Sequence, residues 1–335
     1  MYIVTGGAGF IGSAFVWKLN QMGITDILIV DNLGESEKWR NLTNLRYEDY
    51  LHKTQFLKYI TERGDEDPFE AQAIVHMGAS SSTTEKDADY LMENNYRYTQ
   101  MLCRFALNHS VRFVTASSAA TYGDGSLGFD DDIAALGSLR PLNMYGYSKH
   151  LFDLWADKAG IFDRIASLKF FNVYGPNEQH KGDMKSVICK AHAQIGETGR
   201  MKLFKSYRPE FPDGGQMRDF VSVKDCVEVL WWLLEHPEAS GLFNVGTGQA
   251  RSWNDLARAV FTAMGRDLAL DYIDMPEFIR DKYQYFTEAR MDRLAAAGYA
   301  APFTSLEAGV ADYVTNYLAR GNPFLGNGAE PGTPA

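Results

Sequence analysis

The stretch Tyr2–Thr5 runs straight into Gly6-Gly7-Ala8-Gly9-Phe10-Ile11-Gly12, and a helical pattern continues to Met22. Gly7, Gly9 and Gly12 fit G-x-G-x-x-G, while Gly6, Gly9 and Gly12 fit the looser G-x-x-G-x-x-G. A strand that turns on glycines into a helix brings bare backbone up to a pyrophosphate at a helix N-terminus. Glycine clusters also make ordinary turns, so the reading needs support. It comes from Ile27–Val30 (ILIV), an apolar run, and from Asp31, which lies 19 residues beyond Gly12. An acid at that offset holds the adenosine ribose hydroxyls of a dinucleotide. Strand, glycine turn, helix, strand and acid together predict a dinucleotide site.

The alternation continues. Ala73–His76, Arg112–Ala116 and Ile165–Val173 read as strands, with helical patterns at Asp87–Asn108 and Tyr145–Lys158. Short continuous apolar runs separated by helices are the pattern of parallel strands buried on both faces. The prediction is an α/β fold, a Rossmann doubly wound parallel sheet with helices on both faces. After Gly175-Pro176 the pattern loosens. Met184–Thr198 reads as a helix, Arg208–Gln216 as a loop, and Asp219–Val223 and Gly241–Val245 as returns to the sheet. Ser252–Met264 reads as a helix opened by a capping serine. The expected division is a cofactor domain over 1–170, completed by about 219–250, and a smaller, interleaved C-terminal substrate-binding lobe over 171–218 and 251–320. The tail Gly321–Ala335, rich in Gly and Pro, is expected to be disordered.

The 335 residues carry a net charge of −10, which argues against a nucleic-acid surface. An anionic ligand must then be held by locally placed Lys and Arg. The three cysteines, Cys103, Cys189 and Cys226, show no disulfide or metal spacing and suit a reducing cytoplasm. No metal site is expected. No apolar run reaches the roughly 18 residues of a membrane span, and the strand at Tyr2 leaves no room for a signal peptide.

Candidate site residues cluster at the predicted carboxyl ends of the strands. Gly78-Ala79-Ser80 follows Ala73–His76, and Asn94 or Asn95 on the next helix is placed to tie that loop down. Asp31 favours NAD, because a carboxylate repels a 2′-phosphate. Asn32, Lys38, Arg40 and Lys53 follow, and lysines there suit NADP, so the residues leave the choice open. Ser117-Ser118 end one strand, and Tyr145 and Lys149, at i and i+4, share a helix face. A tyrosine of ordinary pKa is a poor base at neutral pH. A nearby lysine and a cationic nicotinamide both favour its phenolate. Ser118 can hold a substrate oxygen. This is equipment for moving a hydride between a carbinol carbon and NAD(P).

In order, GGAGFIGS, Asp31-Asn32, HMGASSSTTE, SSAATYG, NMYGYSK, FFNVYGPN and RDFVSVKD resemble the extended short-chain dehydrogenase/reductase family of nucleotide-sugar enzymes, the NAD(P)-dependent epimerases and dehydratases. The resemblance covers roughly Met1 to Tyr317. SSSTTE (80–85), SSAATYGDG, YGYSKHLFD, NVYGPNEQHKGDM and YQYFT (283–287) resemble more narrowly the group of ADP-glyceromanno-heptose 6-epimerases. That resemblance implies one tightly bound NADP per subunit, an ADP-heptose substrate of lipopolysaccharide core synthesis, and a homo-oligomer, a pentamer. It implies cofactor contacts from Phe10, Ile11, Met77, Val173 and Lys181 besides the glycines. It also implies substrate contacts from Asn172, Asp183, Lys190, Phe204, Arg218 and Tyr283, with Arg218 clamping the diphosphate. Asp183, Lys190 and Met77 depart from the residues associated with those positions, and Arg208–Gly215 reads as an insertion.

Chemistry gives an independent reason for a second acid/base. Inverting C6 requires the hydride to return to the other carbonyl face, so the carbonyl must turn over and carry its oxygen across the site. One tyrosine cannot serve both orientations. Lys181 stands at the family position for the second group, while His180 beside it reads as structural. A UDP-glucose-type 4-epimerase would share Ser118, Tyr145 and Lys149 without needing Lys181. A 4,6-dehydratase needs an acidic pair after the catalytic Ser or Thr, where this chain has Ala119-Ala120. A non-enzymatic redox sensor would not need the Tyr/Lys pair.

Overall fold

The computed structural model describes residues 1–62, 69–280 and 283–326. Its strands are β1 (Tyr2–Thr5), β2 (Ile27–Asp31), β3 (Asp49–His52), β4 (Ala73–His76), β5 (Arg112–Ser118) and β6 (Ile165–Phe170), followed by β7 (Asn172–Tyr174), β8 (Met201–Phe204), β9 (Met217–Ser222), β10 (Gly241–Val245), β11 (Ala250–Ser252) and β12 (Leu270–Ile273). Seven form one parallel sheet in the order β10-β6-β5-β4-β1-β2-β3. The order reverses at β1, with Thr5 in register between Val30 and His76. Ligands of such sheets bind beyond the carboxyl ends of the strands at this switch point.

Alternate residues of each strand enter separate cores. Val4, Ile29, Val75, Val114 and Leu168 face a core containing Phe15 and Leu230, whose helices, Phe10–Gln21 and Val223–Glu235, pack on each other. Ile3, Leu28, Ile74, Phe113 and Ile165 face a second core with Phe56, Leu102, Phe105 and Phe152. The continuous apolar runs therefore have a physical cause, since both faces of each strand are covered.

The expected strand Ile165–Val173 breaks in two. At Phe171, whose N–H donates to Val245, the chain leaves the main sheet, and β7 joins a three-stranded sheet ordered β11-β9-β7. The segment Asp219–Val223, expected to return to the main sheet, does not. β9 pairs parallel with β7 and antiparallel with β11, while β10 takes the free edge of β6. An apolar pattern reports burial, not which edge accepts a strand. β8 and β12 form a separate parallel pair. The helical pattern Asp87–Asn108 is capped by Asp87 and widens into a π-turn at Met92–Arg97, and the expected helix from Met184 starts at Val187, capped by Ser186.

The tail reading needs correction. Residues 321–326 are docked, and 327–335 lie outside the described residues. Leu325 is buried, the Pro323 carbonyl accepts from the Asn177 N–H at 2.9 Å, and the Arg40 guanidinium sits 5.4 Å from the Phe324 ring centroid. Averaged composition hid two apolar residues able to anchor a Gly/Pro-rich stretch. Leu325→Ala is expected to lower unfolding stability by about 2–5 kcal/mol, the range for emptying a buried leucine site. Urea denaturation measures this, and an unchanged midpoint would mean the segment is not docked.

Candidate active site

A cavity of about 670 Å³ opens at the switch point, beyond β1 and β4. Gly6, Gly9, Phe10, Ile11 and Gly12 form one wall, with Asp31, Lys38, Met77, Gly78, Ala79 and Ser80 beside them. The glycines are needed for close approach. Gly6 has φ +66°, and a Cβ there would lie 2.6 Å from Gly78 Cα. A Cβ on Gly12 would lie 2.1 Å from the Gly6 carbonyl oxygen. Gly9 caps the helix without a side-chain bond, so the first-turn N–H groups are left to the cavity, where an anion is favoured.

A smaller adjoining space of about 110 Å³ is lined by Asp31, Asn32, Lys38, Lys53, Gly78, Ala79, Ser80 and Asn94. Asp31 accepts from the Ala8 N–H (2.8 Å), the Asn32 N–H (2.6 Å) and the Lys38 ammonium (2.6 Å). Lys53 donates to Asn94 at 2.5 Å, and burial, reinforced by Lys38, lowers its pKa. Of the two asparagines, Asn95 ties the loop. It accepts from the Ser80 N–H and donates to the Ser80 carbonyl, both at 2.9 Å, and reaches Ser148 on the next helix at 3.0 Å.

Ser118 ends β5, and Asn143 caps the helix Met144–Lys158 that carries Tyr145 and Lys149. This helix can dock because position 146 is glycine, whose Cβ would lie 2.7 Å from the Ala120 carbonyl oxygen. Docking brings Tyr145 and Ser118 into the lining of one cavity. Burial raises the Tyr145 pKa, and the Ser118 side chain opposes it. Lys149 donates to the Ala116 carbonyl at 2.7 Å. Burial pushes its pKa down to about 8, against the pull of Asp153.

Lys181 lines the same cavity from the turn Gln179–Met184, its ammonium 5.0 Å from the Phe10 ring centroid. Burial lowers its pKa, Glu178 opposes this and Lys190 adds to it. The Phe10 helix belongs to one core and the Tyr145 helix, through Phe152 and Ala156, to the other. The two groups therefore reach the cavity from opposite faces of the sheet. His180 pairs with Asn41 at 3.2 Å, and burial pushes its pKa down to about 4. It is neutral at neutral pH, as a structural residue would be.

Asn172 and Val173 also line the cavity, with Trp253 and Ser81–Thr83, which sequence reasoning missed. Trp253 directly follows the capping Ser252, so it passes for an ordinary first helical residue. Arg218, Tyr283 and Phe204 do not line the main cavity but gather behind Trp253. The buried Arg218 guanidinium lies 5.7 Å from the Trp253 ring centroid and 5.1 Å from that of Tyr283. Trp253 donates to the Tyr283 hydroxyl at 2.9 Å, and the Phe204 and Tyr283 rings are 6.4 Å apart. Asp183 and Lys190 stay on the exposed rim, where Lys190 donates to the Asp183 carbonyl at 2.5 Å.

The model of the NAD dependent epimerase/dehydratase family matches residues 2–246. An ADP-L-glycero-D-manno-heptose-6-epimerase of Nitratidesulfovibrio vulgaris (strain DP4) is 65% identical over 325 residues, covering 97% of this chain and all of that protein. One from Fusobacterium nucleatum subsp. nucleatum is 49% identical at the same coverages. The crystal structure of the Helicobacter pylori ADP-L-glycero-D-manno-heptose-6-epimerase aligns with TM-score 0.77 and 25% identity, over 94% of this chain and 95% of that one.

The docking of the Tyr145 helix is directly testable. Gly146→Ala places a methyl against the Ala120 carbonyl and should lower turnover by about 10²-fold, the scale of a 1 Å misplacement at a reacting centre. Steady-state kinetics on the folded variant measures it, and full activity would show that the backbones need not meet.

Proposed function

We infer how the site works from one premise: the chain belongs to the NAD dependent epimerase/dehydratase family, among its ADP-L-glycero-D-manno-heptose 6-epimerases. It is an epimerase of nucleotide-sugar metabolism. The observation that carries the mechanism is the entry of Tyr145 and Lys181 into one cavity from opposite faces of the sheet.

The glycine turn fits a nicotinamide dinucleotide, with its uncapped helix end for the pyrophosphate and Asp31 for the ribose. The bound nicotinamide supplies a reversible acceptor for the C6 hydride. The protein handles the proton. Ser118 holds the C6 oxygen, and Tyr145 takes the hydroxyl proton as the carbonyl forms. Lys149, cationic below about pH 8, lowers the charge cost of a Tyr145 phenolate that burial alone disfavours. Once the carbonyl has turned over, its oxygen lies on the Lys181 side, and Lys181 supplies the proton that completes inversion. A desolvated lysine gives up a proton more readily than a hydrated one, which suits this role. Asn172 orients the sugar, and Trp253 leads to Arg218, whose fork suits a diphosphate. Phe204 and Tyr283 flank it, with Asp183 and Lys190 at the rim.

The cofactor is NADP in this reading. Lys38 already neutralises Asp31 in the adenosine-end space, and Lys53, which forms no ion pair among the described residues, adds a second cation there. A ribose carrying only hydroxyls needs neither lysine, whereas a 2′-phosphate uses both. Lys53→Met should therefore weaken NADP binding by about 10-fold or more, the scale of a lost charge-assisted bond, and leave NAD nearly unchanged. Calorimetric titration of cofactor-stripped protein with each dinucleotide measures this, and equal losses would remove the case for NADP. Tyr145→Phe and Lys181→Met should each cut epimerisation by on the order of 10²–10⁴-fold, the usual weight of acid/base catalysis. Epimer formation with no added reductant is the assay, and a fully active Lys181 variant would overturn the two-base assignment.

A further inference from the structure

Lys181 is a flexible residue asked to act at one point. Its ammonium lies over the Phe10 ring and makes no hydrogen bond among the described residues. Four rotatable bonds leave a lysine head poorly placed unless its backbone is fixed. The backbone of the turn Gln179–Met184 therefore decides where the ammonium can reach.

That turn begins beside Asn177, which is fully buried and holds φ +76°, a conformation asparagine tolerates better than most residues. All of its polar groups are engaged, with three distant parts of the chain. Its N–H donates to the Pro323 carbonyl (2.9 Å), and its Oδ1 accepts from the Leu325 N–H (2.8 Å). Its carbonyl accepts from Asn41 (3.0 Å), and its side-chain amide donates to Ser13 Oγ (2.9 Å). Ser13 lies on the helix that follows the glycine turn. The amide nitrogen of Asn41 also bonds the Ala8 carbonyl in that turn (2.9 Å) and the His180 ring (3.2 Å). One residue beyond Asn177, Glu178 accepts from the Ser186 N–H and hydroxyl, closing the far end of the turn.

We propose that Asn177 is the positioning residue for Lys181: pinned by Pro323–Leu325, Asn41 and Ser13, it fixes the turn that presents the second acid/base and ties that turn to the cofactor cradle. This rests on the two-base reading above. It assigns a role to the docked C-terminal segment, which holds the turn from behind and takes no part in the chemistry. His180 belongs to the same cluster, its ring 3.2 Å from the Asn41 amide nitrogen.

The test uses the two epimers of ADP-glycero-D-manno-heptose separately. With Tyr145 and Lys181 on opposite sides, oxidation of one epimer needs Tyr145 as base and oxidation of the other needs Lys181. Mixing the holoenzyme with either epimer in a stopped-flow instrument reports oxidation through the absorbance of reduced nicotinamide. Lys181→Met identifies the Lys181-dependent epimer as the one whose rate it lowers. Asn177→Gly keeps the positive φ and both main-chain bonds, and loses the bonds to Leu325 and Ser13. It should slow oxidation of that same epimer by about 10-fold or more, the scale of a small misplacement, and leave the other epimer at the wild-type rate. Equal slowing of both epimers, or of neither, would overturn the positioning role. If Lys181→Met itself does not separate the epimers, the two-base reading fails first. Should the glycine variant not fold, Asn177→Asp, which keeps the Leu325 bond and loses the donor to Ser13, is read the same way.

Discussion

Two backbone segments, the glycine turn after β1 and the loop after β4, touch with no side chain between them. A Cβ on Gly6 would sit 2.6 Å from Gly78. Most of the site depends on this contact. It brings the uncapped helix end, Asp31 and the Ser80 loop around one space, and Asn95 carries the restraint on to the helix of Tyr145. Parallel strands make this possible, because their carboxyl ends all open on the same edge of the sheet.

The same economy recurs at the helix of Tyr145. Gly146 lets its first turn rest on the Ala120 carbonyl, and that docking sets Tyr145 and Ser118 in one cavity wall. Burial then works against the chemistry at both residues of the pair, raising the Tyr145 pKa and lowering that of Lys149. In the proposed mechanism, a positive charge beside the phenol favours its phenolate and would link proton transfer to cofactor binding.

Much of this was legible in the sequence because the signals are local. Glycine spacing, the offset of Asp31, the i,i+4 pairing of Tyr145 with Lys149 and the apolar runs of the buried strands each lie within a few dozen residues. The less legible parts depend on partners far away in the chain. β3 is half-exposed and its pattern is weak, so the edge strand escaped notice. Trp253 and Arg218 meet only because β11 pairs with β9. The placement of Asp183 and Lys190 on the rim, away from the cavity, depends on how the turn at 179–184 is folded.

Residue types and spacing therefore determined the doubly wound sheet, the glycine turn and the candidate set Ser118, Tyr145 and Lys149, because each rests on signals local to a strand, a turn or a helix. Tertiary structure alone decided that β9 leaves the main sheet and that the Gly/Pro-rich tail docks through Leu325. Those outcomes rest on edge availability and on hydrogen bonds spanning more than a hundred residues, such as Asn177 to Leu325. No local pattern encodes such a bond, since each partner satisfies its own neighbourhood equally well until the fold brings the two together.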